Sequence, residues 1–223
     1  MTDLASLVYV VDDDASIRAA LDSLLRSAGL VAHCFASASE FLARSPSSVP
    51  ACLILDLRLP EGSGLDLQRE LAHREPMPIV FITGHGDIPT SVRAIKAGAV
   101  EFLPKPFRDD DLLAAVEQAL VKARDEWRTR TNLSSLQSRF AALTPRERQV
   151  LAHVVTGLLN KQIASALGIS EVTVKGHRGQ VMQKLRANSV ADLVRMAGLV
   201  GVGPDWAQLN ASGRDIGAAR RAR

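Results

Sequence analysis

About the first 120 residues alternate short apolar, β-branched runs with amphipathic segments, and this alternation constrains the fold more than any other feature of the chain. The runs, which we interpret as five strands, lie at 7–11, 31–35, 52–56, 78–82 and 100–103. In the first segment between them, Ile17, Leu21 and Leu25 share one helix face and Gly29 ends the helix. Consecutive βα units of this kind predict an α/β fold, a doubly wound five-stranded parallel sheet with helices on both faces.

The second half of the chain has a purely helical pattern. The sequence TPRE at 144–147 supplies an N-cap, a proline at the first helical position and a capping-box glutamate. A short helix at 161–167, a stop at Gly168 and a longer helix at 171–185 follow. A short helix, a tight turn and a longer helix form a helix-turn-helix, and a last helix capped near Ser189 completes a small four-helix domain.

Charge divides the chain in the same place as the hydrophobic pattern. Residues 1–125 hold 12 Lys+Arg and 18 Asp+Glu, a net charge of −6, whereas residues 126–223 hold 15 and 6, a net charge of +9. This asymmetry is expected of a regulatory domain joined to a nucleic-acid binder, although charge alone would also fit two unrelated surfaces. The composition, 47% hydrophobic and 23% charged, excludes disordered, collagenous and disulfide-stapled chains.

The sequence predicts neither export nor membrane insertion. No apolar run approaches the roughly 18 residues of a membrane span, and the first residues lack the basic segment of a signal peptide. We therefore expect a cytoplasmic protein that does not bind membranes. Its two cysteines, Cys34 and Cys52, are expected to be reduced core thiols, because they show neither CxxC spacing nor metal partners.

Polar residues follow four of the predicted strands at their carboxyl ends, where parallel sheets bind ligands. Three aspartates at 12–14 follow the first strand, and Asp56 ends the third. Thr83 follows the fourth strand and Lys105 follows the fifth. Clustered carboxylates repel one another unless a hard cation lies between them, and oxygen ligands with retained waters suit Mg²⁺. The lysine and the hydroxyl are suited to neutralise and hydrogen-bond a phosphoryl group.

These motifs resemble the receiver domain of two-component response regulators. The resemblance rests on VVDDD, LILDLRLPEGSGLDL, ITGHGD and AVEFLPKPF, in this order and at these strand ends. It implies that Asp56 is the phosphoacceptor and, with Asp13 and the backbone carbonyl of Arg58, a Mg²⁺ ligand. Asp12 would act through metal-bound water, and Asp14 would point away from the pocket.

The resemblance also implies a conformational change on phosphorylation. Thr83 would move toward the phosphoryl group, and Phe102 would turn into the space that Thr83 leaves. Taken alone, Phe102 is more often a core aromatic than a switch. The Lys105–Pro106 bond would be cis, and Gly84 would keep the site open, because a bulky residue beside Thr83 would obstruct it.

The string LTPRERQVLAHVVTGLLNKQIASALGISEVTVKGHRGQVMQKL resembles the LuxR-type DNA-binding domain, so the whole chain up to about Gly201 resembles the FixJ and NarL group of response regulators. In the helix at 171–185, the 3.6-residue period turns Val174, His177, Val181 and Leu185 inward. The opposite face is expected to enter the major groove.

We predict that six residues contact DNA. Lys175 is suited to a guanine edge and Val172 to a thymine methyl, and Gln183 shares their face. Phosphate contacts are predicted for Lys161, Arg178 and Lys184. The exposed Gly176 and Gly179 either allow a close backbone approach or mean that direct readout is weak.

We divide the chain into a receiver domain at 1–121, a helical linker at 122–142, a helix-turn-helix domain at 143–200 and a tail at 201–223 that we expect to be disordered. The apolar stripe of the linker is compatible with a coiled coil between subunits and with packing against its own domains.

Together the halves predict a transcription regulator controlled by phosphorylation. A cognate sensor histidine kinase phosphorylates Asp56, and the receiver then forms a homodimer through a face that includes Val92, Ile95, Lys96 and Glu101. Two DNA-binding domains bind promoter DNA, and the resemblance favours activation, with RNA polymerase as a partner. The chain would be a stoichiometric phosphoacceptor and not an enzyme.

Two alternatives remain open at this point. One is a DNA-binding regulator whose receiver works independently of phosphorylation, although the complete acidic pocket argues against it. The other is a doubly wound phosphatase, but Arg58 occupies the position two residues after Asp56 where a second acid/base aspartate would be needed.

Overall fold

The five predicted strands form one parallel sheet in the computed structural model, which describes residues 6–60, 62–84 and 88–202. The strand order is β2-β1-β3-β6-β7. A two-stranded antiparallel hairpin, β4 and β5, follows β3. The bounds are β1 Leu7–Val11, β2 Val31–Phe35, β3 Ala51–Asp56, β4 Arg58–Leu59, β5 Gly62–Ser63, β6 Ile79–Thr83 and β7 Glu101–Pro104.

Helices cover both faces of this sheet, as the alternating side chains of its strands require. Val8 and Val10 of β1 face a core that also holds Leu21 and Leu112, whereas Tyr9 faces the core on the other side. The predicted doubly wound fold is confirmed. The helices of this part are α1 Ala15–Ser27, α2 Ala38–Ala43, α3 Gly64–Arg74, α4 Ile88–Lys96 and the first part of α5 Asp109–Ala141.

The second half is helical, and the predicted capping residues lie at helix ends, but α7 begins one residue earlier than predicted, after Leu159, and α8 ends at its C-cap, Arg186. Thr144 and Glu147 form a reciprocal capping box at the start of α6. Gly168 ends α7 in the left-handed conformation, and Ser170 and Ser189 cap α8 and α9 through their side chains. The bounds are α6 Pro145–Val155, α7 Asn160–Leu167, α8 Glu171–Leu185 and α9 Val190–Val200.

The chain divides into two compact units between Thr129 and Arg130, which lie within α5. Leu136 and Phe140, which we placed in the linker, are buried in the core of the second unit. This unit therefore begins before the predicted boundary at 143.

The second unit also extends further than predicted. Gly201 ends α9 in the left-handed conformation, and Val202 is buried in the core, so these two residues belong to the fold and not to a tail. The rest of the predicted disordered tail, 203–223, lies outside the described residues.

Both cysteines are free thiols. Burial raises the pKa of Cys52 to about 12, and Cys34 is half-buried. Within the described part of the chain, no helix has the length and hydropathy that a membrane span needs.

Candidate functional site

The parallel register brings the polar strand ends to one edge of the sheet. Asp56 lies beside Ile82, and Thr83 lies beside Pro104, the residue before Lys105. The backbone N–H of Lys105 donates to the carbonyl of Thr83 (2.7 Å), which fixes the end of β7 against β6. The four predicted pocket positions thus meet at the carboxyl ends of the parallel strands, as predicted.

Carboxylates from β1 and β3 form a cluster with the donor set of a hard metal site. One carboxylate oxygen each from Asp12, Asp13 and Asp56 lies within 4.8 Å of the others. Asp12 is fully buried and Asp56 is 7% exposed, whereas Asp13 is exposed. Carboxylate oxygens that face partly toward solvent fit Mg²⁺, which keeps several waters when it is bound.

Lys105 links the two buried carboxylates. Its Nζ lies 2.7 Å from Asp12 Oδ2 and 2.6 Å from Asp56 Oδ2. Burial tends to lower the pKa of Lys105, but hydrogen bonds to Asp12 and Asp56 outweigh this and raise it. Burial also raises the pKa of Asp12, against the lowering effect of the hydrogen bond from Lys105. The ammonium therefore stays charged where a phosphoryl group would need neutralisation, and its peptide bond to Pro106 is cis, as the resemblance implied.

Backbone donors orient the carboxylates. Asp56 Oδ1 accepts the N–H of Arg58 (2.9 Å), and Asp12 Oδ1 accepts the N–H of Asp14 (2.8 Å). The role of the Arg58 carbonyl as a metal ligand stays a prediction. Asp14 is exposed and caps α1 by accepting from the N–H groups of Ser16 and Ile17, which lowers its pKa. It points away from the pocket, as expected.

The two predicted switch residues lie on neighbouring strands. Thr83 is fully buried, whereas Phe102 is half-buried and packs beside Phe81 with ring centroids 6.4 Å apart. This position is compatible with a core aromatic and with a switch, so the switch role stays a prediction. A Cβ on Gly84 would meet no other atom within 4 Å among the described residues, and the obstruction expected from a bulky residue there stays a prediction.

Sequence reasoning missed two residues that shape the pocket. A Cβ on Gly64 would lie 2.5 Å from the carbonyl oxygen of Asp56, so the start of α3 approaches the phosphoacceptor strand more closely than any side chain permits. Arg18 Nη1 donates to the carbonyl of Asp12 (2.6 Å) and holds the β1–α1 loop. The glycine in GSGLDL was the available signal for the first, whereas nothing in the sequence distinguishes Arg18 from other helix cations.

The residues predicted for the dimer face lie on adjacent elements of the first unit. Val92 and Ile95 on α4 are 44% and 45% exposed, and Lys96 beside them is exposed. Glu101 on β7 is half-buried and its carboxylate accepts the N–H of Phe102. Their role as a dimer face stays a prediction.

In the second unit, the burial of side chains along α8 agrees with the predicted inward and outward faces of this helix. Val174, Val181 and Leu185 are buried, and His177 is half-buried. Val172 is 81% exposed. The other residues of the outward face are also exposed: Lys175, Gly176, Gly179 and Gln183.

The predicted phosphate-contacting cations differ in what they already bind. Lys161 and Lys175 are exposed and form no ion pair with any described residue. Arg178 donates to Asn160 Oδ1 (2.7 Å). Lys184 Nζ lies 2.7 Å from Oε2 of the buried Glu147, while its side chain is 34% exposed, so its phosphate contact stays a prediction.

Other arginines of this unit act as helix caps. Arg139 donates to the carbonyl of Leu185 at the end of α8, and Arg146 donates to that of Leu167 at the end of α7. Arg148 donates to the carbonyl of Ala141 at the end of α5. A net positive charge therefore overstates the number of cations that are free to meet DNA.

Comparisons with known protein families agree with the interpretation of both halves of the chain. Residues 8–117 match the response regulator receiver domain, and residues 141–197 match the bacterial regulatory proteins of the luxR family. The chain is 51% identical over 198 residues to nodulation protein W of Bradyrhizobium diazoefficiens. The aligned region covers 88% of this chain and 87% of that protein.

Two further similarities span most of the chain. The response regulator protein TodT of Pseudomonas putida is 51% identical over 197 residues, with 88% of this chain and 87% of that protein covered. A low-resolution structure of the response regulator StyR is similar with a TM-score of 0.78 at 51% identity, over 87% of this chain and 98% of that one. The chain therefore belongs to the two-component response regulators that join a receiver domain to a LuxR-type helix-turn-helix, and it acts as a transcription regulator.

Proposed function

We propose that Asp56 accepts a phosphoryl group from a cognate sensor histidine kinase and that this modification controls promoter binding. The proposal is carried by the geometry around Asp56. Its Oδ2 lies 2.6 Å from Lys105 Nζ, while the carboxylates of Asp12 and Asp13 complete the cluster of acidic oxygens. A nucleophilic carboxylate, a fixed cation and a metal-binding donor set at one edge are the groups that phosphoryl transfer to an aspartate requires.

The chemistry follows from these positions. A carboxylate oxygen of Asp56 attacks the phosphorus in line, the bond from phosphorus to the donor's histidine nitrogen breaks, and the imidazole leaves with that electron pair. Lys105 neutralises one phosphoryl oxygen, and the hydroxyl of Thr83 donates to another. Asp13, Asp56 and the carbonyl of Arg58 would hold Mg²⁺, with Asp12 acting through its bound water, and the ion would supply further neutralisation of phosphoryl charge. The protein thus contributes mainly position and charge.

The product stays on the protein, so the chain is a stoichiometric phosphoacceptor and not an enzyme that releases product at each turnover. A groove of about 620 Å³ adjoins Lys105 and is lined by Ile17, Leu24 and Phe107, among others. We propose that the phosphodonor protein approaches Asp56 along this side. Because the regulator acts on DNA, we propose that it works in the cytoplasm.

Phosphorylation is proposed to reshape α4 and β7 and to promote a homodimer through Val92, Ile95, Lys96 and Glu101. In the dimer, binding of the second helix-turn-helix becomes intramolecular, which raises affinity for a two-half-site promoter without any new contact. Promoter-bound dimers then act through RNA polymerase, as an activator.

The decisive experiment compares three proteins incubated with Mg²⁺ and acetyl phosphate. Intact-mass spectrometry is expected to show a gain of about 80 Da in the wild type and in Asp14→Asn, but not in Asp56→Asn. Asp14→Asn is the matched control, because asparagine caps a helix as well as aspartate does. Size-exclusion chromatography and DNA binding are measured on the same samples. If treated Asp56→Asn dimerises and binds promoter DNA like the treated wild type, the receiver works independently of phosphorylation and the proposal is wrong.

A further inference from the structure

The C-cap of α8 carries an arginine in a conformation that favours glycine. Arg186 has φ 55° and ψ 41°, and it is the one non-glycine residue with positive φ in the described part of the chain. Gly168 and Gly201 occupy the corresponding positions of α7 and α9. Because the left-handed conformation brings Cβ close to backbone oxygen, an arginine is less stable here than glycine or asparagine.

Contacts within the protein do not account for this arginine. Its side chain is exposed and forms no ion pair or side-chain hydrogen bond with any described residue. The two preceding cations of α8, Arg178 and Lys184, are bonded to Asn160 and Glu147. Lys175 and Arg186 are therefore the cations of α8 and its cap whose side chains form no hydrogen bond or ion pair with any described residue.

The position of Arg186 places it at the edge of the DNA-binding surface. It follows Val172, Gly176, Gly179 and Gln183 at helical intervals of three or four residues, so it continues the outward stripe. Arg186 lies 11 residues after Lys175, which corresponds to about 16 Å along a helix. The major groove is about 12 Å wide. With the first turn of α8 inside the groove, Arg186 therefore emerges where the phosphates line its rim.

We propose that Arg186 binds a DNA backbone phosphate and that this contact is the reason for an arginine at this cap. The inference rests on the proposed DNA binding and adds to it the residue that fixes the far end of the recognition helix. Arginine is suited to this role because its fork of N–H donors pairs with phosphate oxygens.

The test measures how binding of the full-length protein to a short mixed-sequence DNA duplex depends on salt. Each phosphate contact contributes about 0.9 to the slope of log K against log salt concentration. Arg186→Gly and Arg186→Asn are expected to lower the magnitude of this slope by about 0.9 per bound protomer and to weaken binding about fivefold at low salt. Arg186→Lys should retain most of the slope. Arg195→Ala is the control, because it removes an exposed arginine that α9 already pairs with Asp192.

The outcomes separate this inference from the proposed function. A thermal unfolding midpoint of Arg186→Gly at or above that of the wild type shows that the variant folds and that glycine suits the cap. An unchanged slope in Arg186→Gly overturns the inference, and so does an equal loss in Arg195→Ala, which would indicate a general charge effect. If the wild type treated with Mg²⁺ and acetyl phosphate binds no duplex, the proposed DNA binding fails, and the inference fails with it.

Discussion

At the scale of single residues, Gly64 shows how closely the backbone fits around the phosphoacceptor. We predict that Gly64→Ala destabilises the protein by about 1–3 kcal/mol, because the added Cβ would lie 2.5 Å from the Asp56 carbonyl and 3.1 Å from Phe81. Backbone cannot yield as a flexible side chain does, so the end of β3 must shift, and phosphorylation of Asp56 should slow. Urea denaturation followed by circular dichroism and mass spectrometry of the phosphorylated fraction measure the two effects.

Gly84→Ala provides the comparison, because its Cβ enters open space among the described residues. It is expected to unfold at the same urea concentration as the wild type. Equal denaturation midpoints for Gly64→Ala and the wild type would show that the backbone beside Asp56 accommodates the added Cβ without cost.

The sequence predicted the residues of the phosphorylation pocket, but it did not predict the ion pair between Lys184 and Glu147. Asp56, Thr83 and Lys105 could be found because each ends or directly follows a recognisable strand, and parallel strands end at one edge. The bond from Lys184 to Glu147 joins residues 37 positions apart, and no periodic pattern pairs them. A lysine on a helix surface has the same sequence signature whether it meets DNA or a buried carboxylate.

At the scale of single helices, α7 begins without a capping side chain. Leu159 occupies the N-cap, is 70% exposed and leaves the first N–H groups of the helix without a side-chain acceptor. We predict that Leu159→Ser stabilises α7 by about 1 kcal/mol, because the serine hydroxyl accepts one of these N–H groups. Amide hydrogen exchange of α7 in the full chain is the measurement, since local opening reports local stability.

Leu159→Ala is the control for this substitution, because it removes the exposed leucine but adds no acceptor. Slower exchange in Leu159→Ser than in Leu159→Ala is expected. Exchange that is equal in the two variants would mean that the cap contributes nothing here.

The pair of Glu147 and Lys184 makes the contact between α6 and α8 sensitive to pH. Burial tends to raise the pKa of Glu147, but hydrogen bonds from Lys184 and the Thr144 N–H outweigh this and lower it below its ordinary value of 4.5. The folded state therefore favours the carboxylate. Its stabilising contribution is complete above about pH 4.5 and is lost as the pH falls through the lower folded-state pKa.

We predict that Glu147→Gln loses about 2 kcal/mol at pH 7 and that its difference from the wild type narrows as the pH falls below about 4.5. Hydrogen exchange of α6 and α8 peptides at several pH values measures this difference. Glu171→Gln, at an exposed carboxyl of α8, should change stability by less than about 0.5 kcal/mol. A difference for Glu147→Gln that stays constant down to pH 3 would rule out the carboxylate as its source.

At the scale of the whole molecule, the exposed apolar residues of α4 are the part of the proposed dimer that can be tested without knowing the promoter. We predict that Val92→Asp prevents dimerisation after treatment with acetyl phosphate, because it places a charge in an interface that buries it, while phosphorylation of Asp56 persists. Size-exclusion chromatography and intact mass measure the two properties in one sample.

Val31→Asp is the matched control, since Val31 is 57% exposed on the edge strand β2, away from α4 in the strand order. It is expected to dimerise like the wild type. Dimers that persist in Val92→Asp would place the interface elsewhere on the molecule.

The division of the chain within α5 has a practical consequence for truncation. A fragment that starts at Leu143 lacks Leu136 and Phe140, which are 7% and 3% exposed in the core of the second unit. Removal of large apolar side chains from a core costs about 2–5 kcal/mol each, which is comparable to the whole stability of a small domain. A fragment that starts at Arg130 should melt cooperatively by calorimetry, whereas the shorter one should show no transition. The autonomous DNA-binding part of this regulator thus includes the last three turns of the helix that begins in its receiver.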